Sequence, residues 1–137
     1  MKRISLTLNT MRKVFLFVCL AVMVVSFTGC PPDPPDKDTT YTFKDDFDSS
    51  GTTWEAFIFE YNDAGEVVMQ QQSFVTSKGL KRVFVANKRA TKVKIKYKIR
   101  AGSTEAIMWV RQVFYLEKEK NIDINLNGQT ILVLQEP

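Results

Sequence analysis

Histidine is absent from this chain of 137 residues. The commonest general base near neutral pH and the commonest zinc ligand are therefore both missing. A serine nucleophile would need lysine as its base, and no serine after residue 30 is followed three positions later by lysine. We therefore expect a protein that is not an enzyme and that carries neither a cofactor nor a catalytic metal.

Long hydrophobic runs are also lacking, because the longest one, residues 14–27, contains Ser26 and is too short to span a bilayer comfortably. It follows four cations within the first thirteen residues and precedes two small residues. This order is typical of a cleavable signal peptide, which we predict over residues 1–29; a transmembrane helix is the alternative. Met11 begins a compact signal of its own and is an alternative start.

Cys30 follows this segment, in the sequence Phe27-Thr28-Gly29-Cys30. The four residues resemble the lipobox of bacterial lipoproteins, in which Leu, a small residue and Gly or Ala precede the cysteine; Phe27 stands where Leu is usual. The resemblance covers about the first thirty residues. It implies cleavage before Cys30, a diacylglycerol on its sulfur and usually a third acyl chain.

Acylation would make the membrane the first partner of the protein. One acyl chain alone binds only marginally, at about 0.8 kcal/mol per buried methylene, whereas two or three chains would hold the protein firmly. We expect a lipid-anchored protein of the cell envelope, in the outer membrane of a Gram-negative bacterium, facing either the periplasm or the surface.

Removal of residues 1–29 changes the charge of the chain. The whole sequence has 19 Lys plus Arg against 15 Asp plus Glu, but four of the cations precede Cys30. The mature protein is formally neutral, so its charge gives no reason to expect nucleic-acid binding. Cys19 would be removed and Cys30 acylated, which leaves no thiol for a disulfide or a metal site.

Residues 30–39 are rich in proline and aspartate, and we predict an extended tether there because proline lacks the N–H that helices and sheets require. From 40 to 137, short β-type segments alternate with turn residues, which indicates one domain. We predict strands at about 40–47, 54–61, 66–76, 80–86, 91–100, 106–116, 122–126 and 130–134. Seven or eight such strands predict an all-β, two-sheet antiparallel sandwich, immunoglobulin-like or transthyretin-like in architecture only; a closed barrel is the alternative.

Turn residues support several of these borders. Segments that tolerate positive φ or a tight reversal occur at 62–65, 77–79, 101–103 and Asn127-Gly128. The last of these is the strongest hairpin signal, and we predict that it joins the strands at 122–126 and 130–134.

Lysine alternates with apolar residues through residues 91–100. The alternation puts the apolar residues on one face of a strand and five cations on the other, namely Lys92, Lys94, Lys96, Lys98 and Arg100. Residues 78–100 hold ten cations and no anion, whereas residues 30–66 hold ten anions and two cations. One interpretation is a docking face for a polyanion such as an acidic glycan or an anionic envelope protein. The other is a solvated face whose lysines pair with acidic neighbours and discourage aggregation.

Residues 106–116 form another long alternating strand. One face is predicted core and includes Ala106 and Val110, while the other places Trp109, Arg111 and Tyr115 side by side. These three residues could stack on a sugar or on an aromatic surface of a partner, or pack beneath a covering sheet or loop. The same two interpretations, stacking on a ligand or packing within the fold, apply to Trp54, Phe57, Phe59 and Tyr61. Because we expect no aromatic side chain among the lysines, nucleic acid is not a predicted partner.

Asp46, Asp48 and Ser50 resemble the start of a calcium-binding loop. Position twelve of that loop would be Phe57, which cannot supply the bidentate carboxylate that calcium requires. An acidic turn in which Asp48 or Ser50 bonds to the backbone is the alternative. We therefore predict no metal site. If a metal were bound, Asp46, Asp48 and Ser50 would be its candidate ligands.

Two functions follow from these patterns. The first is a membrane-anchored, non-enzymatic binding or structural protein of the cell envelope that binds a glycan or another polyanion. The second is an inhibitor or chaperone-like module that acts on a protein partner through loops or an unpaired strand edge.

Overall fold

The computed structural model describes residues 32–137. Asp36–Pro137 forms one compact unit, and residues 32–38 are exposed and have neither helix nor strand. The predicted signal peptide, its cleavage site and Cys30 lie outside the described residues, so the statements about them stay predictions.

Ten strands and no helix make up the described part of the chain. They are β1 (Thr40–Asp45), β2 (Thr53–Tyr61), β3 (Val67–Gln70), β4 (Phe74–Thr76), β5 (Leu80–Val85), β6 (Lys92–Ala101), β7 (Thr104–Val110), β8 (Phe114–Tyr115), β9 (Asn121–Leu126) and β10 (Leu132–Val133). Residues 32–137 accordingly contain no helix that is long and apolar enough to cross a membrane. The predicted all-β class is confirmed.

The smaller of two sheets has three strands in the order β5-β1-β9. β1 is central, since it pairs antiparallel with β5 and parallel with β9. Tyr41 and Phe43 of β1 are fully buried. The first strand of the domain is therefore held by two segments that come much later in the chain.

The larger sheet has seven strands and is built around β6. β2 pairs with one side of β6 along its whole length, while β7 and β8 share the other side. β3 and β4 both pair with the far side of β2, and β10 pairs with β7. Both sheets are open and mainly antiparallel, so the predicted two-sheet sandwich is confirmed.

The hydrophobic core lies between the inward faces of the two sheets. Its fully buried members are Tyr41, Phe43, Ile124 and Leu126 of the three-stranded sheet and Ala56, Ile58, Val93, Ile95, Tyr97 and Val110 of the seven-stranded sheet. Rings meet across the layers, as where Phe43 packs edge-on against Phe74 with centroids 5.3 Å apart. Burial of about 1.5–3 kcal/mol per large side chain makes this layer the main source of stability.

Two tyrosines tie the sheets together through buried carboxylates. Tyr41 on β1 donates its hydroxyl to Glu60 on β2 at 2.7 Å, and Tyr97 on β6 donates to Asp45 on β1 at 3.1 Å. Glu60 accepts two further hydrogen bonds and Asp45 accepts one. Burial raises the pKa of both tyrosine hydroxyls above the ordinary value, so they stay protonated as donors at neutral pH.

Two of the predicted strands are interrupted. The strand predicted at 66–76 is divided into β3 and β4, because this side has one residue more than β2 between the two paired segments. The strand predicted at 106–116 is divided into β7 and β8, because this side has two residues more than β6 between the two paired segments. Arg111, in the interruption, donates its N–H to the carbonyl of Ile131 at 2.9 Å.

Hairpins form at two of the predicted turns. Residues 62–65 join β2 to β3, with Gly65 at a φ of +81°. Gly102, at +59°, begins the two-residue loop between β6 and β7. Residues 77–79 also reverse the chain, but they connect β4 and β5, which belong to different sheets.

The predicted hairpin at Asn127-Gly128 is wrong. β9 belongs to the three-stranded sheet and β10 to the seven-stranded sheet. Thr130 donates its N–H to the carbonyl of Asn127 at 2.9 Å, so a turn is present. Gly128, however, lacks the positive φ that a type I′ hairpin turn needs at both central positions. The turn therefore carries the chain from one sheet to the other.

Candidate functional site

β6 presents five cations on the outward face of the seven-stranded sheet. Its inward residues Val93, Ile95 and Tyr97 are fully buried, so the predicted alternation is confirmed. Arg100 is exposed, whereas the four lysines of the strand are half-buried. Because β6 is central in its sheet, the apolar stems of the lysines lie among side chains of the neighbouring strands.

Three aromatic side chains surround one of these lysines. Phe57 of β2 and Trp109 of β7 stand directly opposite Lys96, and Phe59, two residues farther along β2, stands opposite Lys94. The ammonium of Lys96 lies 5.1, 5.0 and 5.4 Å from the ring centroids of Phe57, Phe59 and Trp109. The rings attract it electrostatically, by about 0.5–2 kcal/mol for a cation over an aromatic face. We call Phe57, Phe59 and Trp109 the aromatic cradle.

Lys94, the next cation along β6, is neutralised by the C-terminal residues. Only 14% of its side chain is exposed, and its ammonium bonds to Glu136 at 2.9 Å and to the carbonyl oxygen of Pro137 at 2.6 Å. The hydroxyl of Tyr61 donates to the same Glu136 carboxylate at 2.6 Å. These hydrogen bonds, first from Tyr61 and then from Lys94, hold the pKa of Glu136 below its usual range.

The other end of β6 is neutralised from β7. Lys98 and Arg100 both form ion pairs with Glu105, at 3.2 and 3.0 Å. Hydrogen bonds from Arg100 and then Lys98 hold the pKa of Glu105 below its usual range. Within residues 32–137, Lys96 and Lys92 are thus the cations of β6 that have no carboxylate at ion-pair distance.

Trp109, Arg111 and Tyr115, which were predicted to lie side by side, are separated in the structure. Trp109 is part of the aromatic cradle, but Tyr115 pairs with Lys92, about 13 Å farther along β6. Tyr115 is 70% exposed. Arg111 lies in the interruption between β7 and β8, at a hollow of about 390 Å³ that is also lined by residues 129–131.

Phe57 and Phe59 are the site residues that sequence reasoning did not place. Alternation along β2 turns both of them outward, but only the pairing of β2 with β6 sets them beside Lys96. The expectation that no aromatic side chain lies among the lysines is therefore wrong, because β2 and β7 supply three. The formally neutral charge of residues 30–137 still gives no support for a nucleic-acid partner.

Asp46, Asp48 and Ser50, the candidate metal ligands, form an acidic turn. Asp48 accepts the backbone N–H of Ser50 at 3.1 Å and its hydroxyl at 2.6 Å. These hydrogen bonds hold the pKa of Asp48 below its usual range. Among residues 32–137 no group of three or more metal-ligating side chains is arranged to hold an ion.

Asp45 and Glu60 are the buried carboxylates of residues 32–137. Tyr41, which binds Glu60, stands four residues before Asp45 on β1. The cross-sheet hydrogen bonds already occupy both groups, and they give Asp45 and Glu60 a structural role.

Comparison with known proteins finds no family model, no curated protein and no solved structure that matches this chain. Its function has to be argued from the side chains themselves, and the aromatic cradle around Lys96 is the arrangement with the most distinctive chemistry.

Proposed function

We propose that this chain is a lipid-anchored, non-enzymatic binding protein of the cell envelope, and that its aromatic cradle and Lys96 bind an acidic glycan. One observation carries the proposal: an ammonium group stands among three aromatic rings on an outward sheet face. Within residues 32–137 it has no carboxylate at ion-pair distance.

An acidic sugar matches the two parts of this site. The apolar C–H face of a pyranose ring packs against an aromatic ring, which removes apolar surface from water. The carboxylate of a uronic acid would meet the Lys96 ammonium in a charge-assisted hydrogen bond. A neutral sugar would use only the rings, so the lysine supplies preference for the acid.

The same sheet face already holds a carboxylate of the chain itself. Glu136 lies between Lys94 and Tyr61, so a lysine and an aromatic residue of this face bind a carboxylate together. Lys96 is two residues from Lys94 on the same side of β6. An acidic ligand at Lys96 would repeat the lysine–carboxylate pair that Lys94 makes with Glu136, without the hydrogen bond from a tyrosine hydroxyl.

Support for the anchor comes from the sequence before the domain. The segment Phe27-Thr28-Gly29-Cys30 resembles a lipobox, and the proline-rich residues after it would separate the domain from the lipid. The anchor would concentrate a weak glycan site at a membrane surface, where many copies can act together.

Calorimetry with the full-length protein in detergent micelles tests the glycan site. The probes are uronic-acid tetramers and their neutral counterparts. We expect the acidic tetramers to bind at least tenfold more tightly, since only they engage Lys96. Trp109→Ala should weaken both kinds of sugar, whereas Lys96→Met, which keeps the apolar stem, should weaken the acidic ones alone.

Lys81→Met on β5 is the matched control, because it removes a cation from the other sheet. Its affinity for the acidic tetramers should equal that of the wild type. Unchanged affinity in Lys96→Met, or an equal loss in Lys81→Met, would contradict the assignment of the site to the cradle.

Cys30→Ser tests the anchor separately. In a Gram-negative host, the wild type should incorporate labelled palmitate and partition into the detergent phase, whereas the variant should do neither. Equal palmitate incorporation by the two proteins would contradict acylation at Cys30 and leave the glycan test unaffected.

A further inference from the structure

β5 lies at an edge of the three-stranded sheet. It pairs with β1, and within residues 32–137 no strand pairs with its other side. The backbone groups on such an edge are a template for a strand from another chain. Proteins usually protect an edge of this kind against pairing with other chains. The side chains of β5 therefore determine whether another strand can pair there, and with what sequence.

Every second residue of β5 directs its backbone groups to the open edge. The N–H of Ala86, directly after β5, donates to the carbonyl of Thr39 at 2.9 Å. Alternate residues bond to the partner in an antiparallel ladder, so the even-numbered residues of β5 face β1. Lys81, Val83 and Val85 consequently direct their N–H and C=O groups outward.

The side chains of these three residues are exposed as well. Val83 is 62% exposed and Val85 56% exposed, and Lys81 is exposed beside them. Two neighbouring valines on an edge strand provide apolar area that an added strand would cover. Lys81 and Arg82 are charged residues of the kind that protects an edge, but the exposed valines at the end of the strand leave apolar area open.

Positive charge surrounds the same edge. Residues 78–89 contain no acidic residue and five cations, Lys78, Lys81, Arg82, Lys88 and Arg89. None of the five forms an ion pair with another residue in the range 32–137. Arg82 lies over the ring of Phe74, 4.3 Å from its centroid. The other four cations of this edge have neither an ion pair nor an aromatic ring as partner within the described residues, unlike most of the charge on β6.

The other edges do not share this combination. β9, at the opposite side of the same sheet, exposes the polar residues Asn121, Asp123 and Asn125. At the edges of the seven-stranded sheet, β3, β4 and β10 have only four, three and two residues, and β3 follows Glu66. β5 is therefore the edge that offers outward hydrogen-bonding groups, apolar contacts and cations together.

We propose that β5 accepts an extended acidic segment of a partner protein as an additional antiparallel strand. Charge complementarity identifies the occupant, since carboxylates of the segment would pair with cations that form no ion pair within the described chain. The site shares no residue with the aromatic cradle and lies on the other sheet. A test of strand addition at β5 is therefore independent of a test of glycan binding.

The ladder geometry specifies a complementary peptide. In an antiparallel strand, residues opposite Val85 and Val83 would be β-branched, and those opposite Arg82 and Lys81 would be acidic. The sequence Val-Thr-Val-Glu-Glu satisfies these positions in order. A peptide with this sequence at its centre and serine at both ends is the probe.

Amide hydrogen exchange measured by NMR on the full-length protein in detergent micelles tests the proposal. In the protein alone, the outward N–H groups of Lys81, Val83 and Val85 should exchange rapidly, whereas those of Arg82 and Phe84, bonded to β1, should be protected. Saturating peptide should slow the three outward amides at least tenfold. Unchanged exchange at these amides would overturn the proposal.

Modified peptides control for binding that does not use the edge. N-methylation of the peptide residues that bond to β5, and replacement of both glutamates by lysine, should each weaken binding at least tenfold. These tests need no change in the protein, so folding does not affect them. Equal affinity of the N-methylated peptide would overturn strand addition.

Val83→Pro and Val83→Thr form a matched pair of protein variants. Proline removes an outward N–H that β1 does not use and is tolerated at strand edges, so peptide binding should be lost while the fold remains. Threonine keeps the N–H and should bind normally. If sedimentation without peptide shows a dimer that Val83→Pro dissolves, the edge belongs to a second copy and the proposal is overturned.

Discussion

β5 and β6 are two lysine-containing strands of one cationic segment, residues 78–100, but the sheets place them differently. β6 is central, and its lysines lie against aromatic rings or pair with Glu105 and Glu136. β5 is an edge, and its cations have no carboxylate partner within residues 32–137.

The difference shows that position in a sheet decides what a lysine contributes. On a central strand, neighbours on both sides cover the apolar stem and meet the ammonium, so the charge is largely used within the fold. On an edge strand one side is open, and the charge remains for a partner. Lys96 and Lys92 are the exceptions on β6, since neither has a carboxylate at ion-pair distance within residues 32–137. The neighbours of Lys96 are aromatic rather than acidic.

The largest expected difference between the two strands concerns their apolar residues. Ile95→Ala on β6 removes a fully buried side chain and should lower the free energy of unfolding by about 2–5 kcal/mol. Val83→Ala on β5 removes an exposed side chain and should change it by no more than about 0.5 kcal/mol. Urea unfolding of the two variants measures both values. Comparable losses would mean that β5 is buried in the folded protein by something beyond its own sheets.

The sequence predicts only part of this contrast between the central strand β6 and the edge strand β5. Alternation predicts which residues of 91–100 are buried, because a strand places successive side chains on opposite faces whatever its neighbours are. It cannot tell which strand lies next to it. Asn127-Gly128 predicts a turn correctly but a hairpin wrongly, since local turn chemistry does not choose the sheet in which the next strand pairs.

The candidate site also depends on which strands are neighbours, which the sequence does not show. Lys96, Phe57 and Trp109 come from three strands, and only their register brings them into one row. Each residue is unremarkable in its own segment. Likewise, nothing near Lys94 in the sequence indicates that Glu136 neutralises it, because the contact crosses 42 residues of chain.

A charge reversal on each strand should give the next largest effect. Lys96→Glu places a carboxylate among three rings whose faces are negative, so the free energy of unfolding should fall by about 1–2 kcal/mol. Lys81→Glu, exposed on the edge, should change it by less than about 0.5 kcal/mol. Thermal and urea unfolding provide the comparison, with Lys96→Met to separate the loss of charge from the loss of the stem. A stability loss in Lys81→Glu as large as that in Lys96→Glu would remove the distinction between the strands.

The smallest expected effect is a pH dependence confined to β6. The pKa values of Glu105 and Glu136 lie below their usual range in the folded protein, because cations of β6 and Tyr61 donate hydrogen bonds to them. A carboxyl group with a lowered pKa stabilises the fold above its ordinary pKa of about 4.3, and that contribution disappears as the pH falls through the folded value. At pH 7 the double variant Glu105→Gln, Glu136→Gln should therefore melt slightly below the wild type, by about 1–2 °C since both carboxylates are solvent-exposed.

The two melting curves should converge as the pH falls from 5 toward 2, where the wild-type carboxylates are protonated as well. Arg89→Gln, four residues beyond the end of β5, is the control. With no ion pair to lose in the described chain, its difference from the wild type should stay constant over the same range. A gap between the double variant and the wild type that persists at pH 2 would assign the loss to packing. The charges of β6 would then be as little used by the fold as those of β5, and the comparison between the strands would rest on their apolar residues alone.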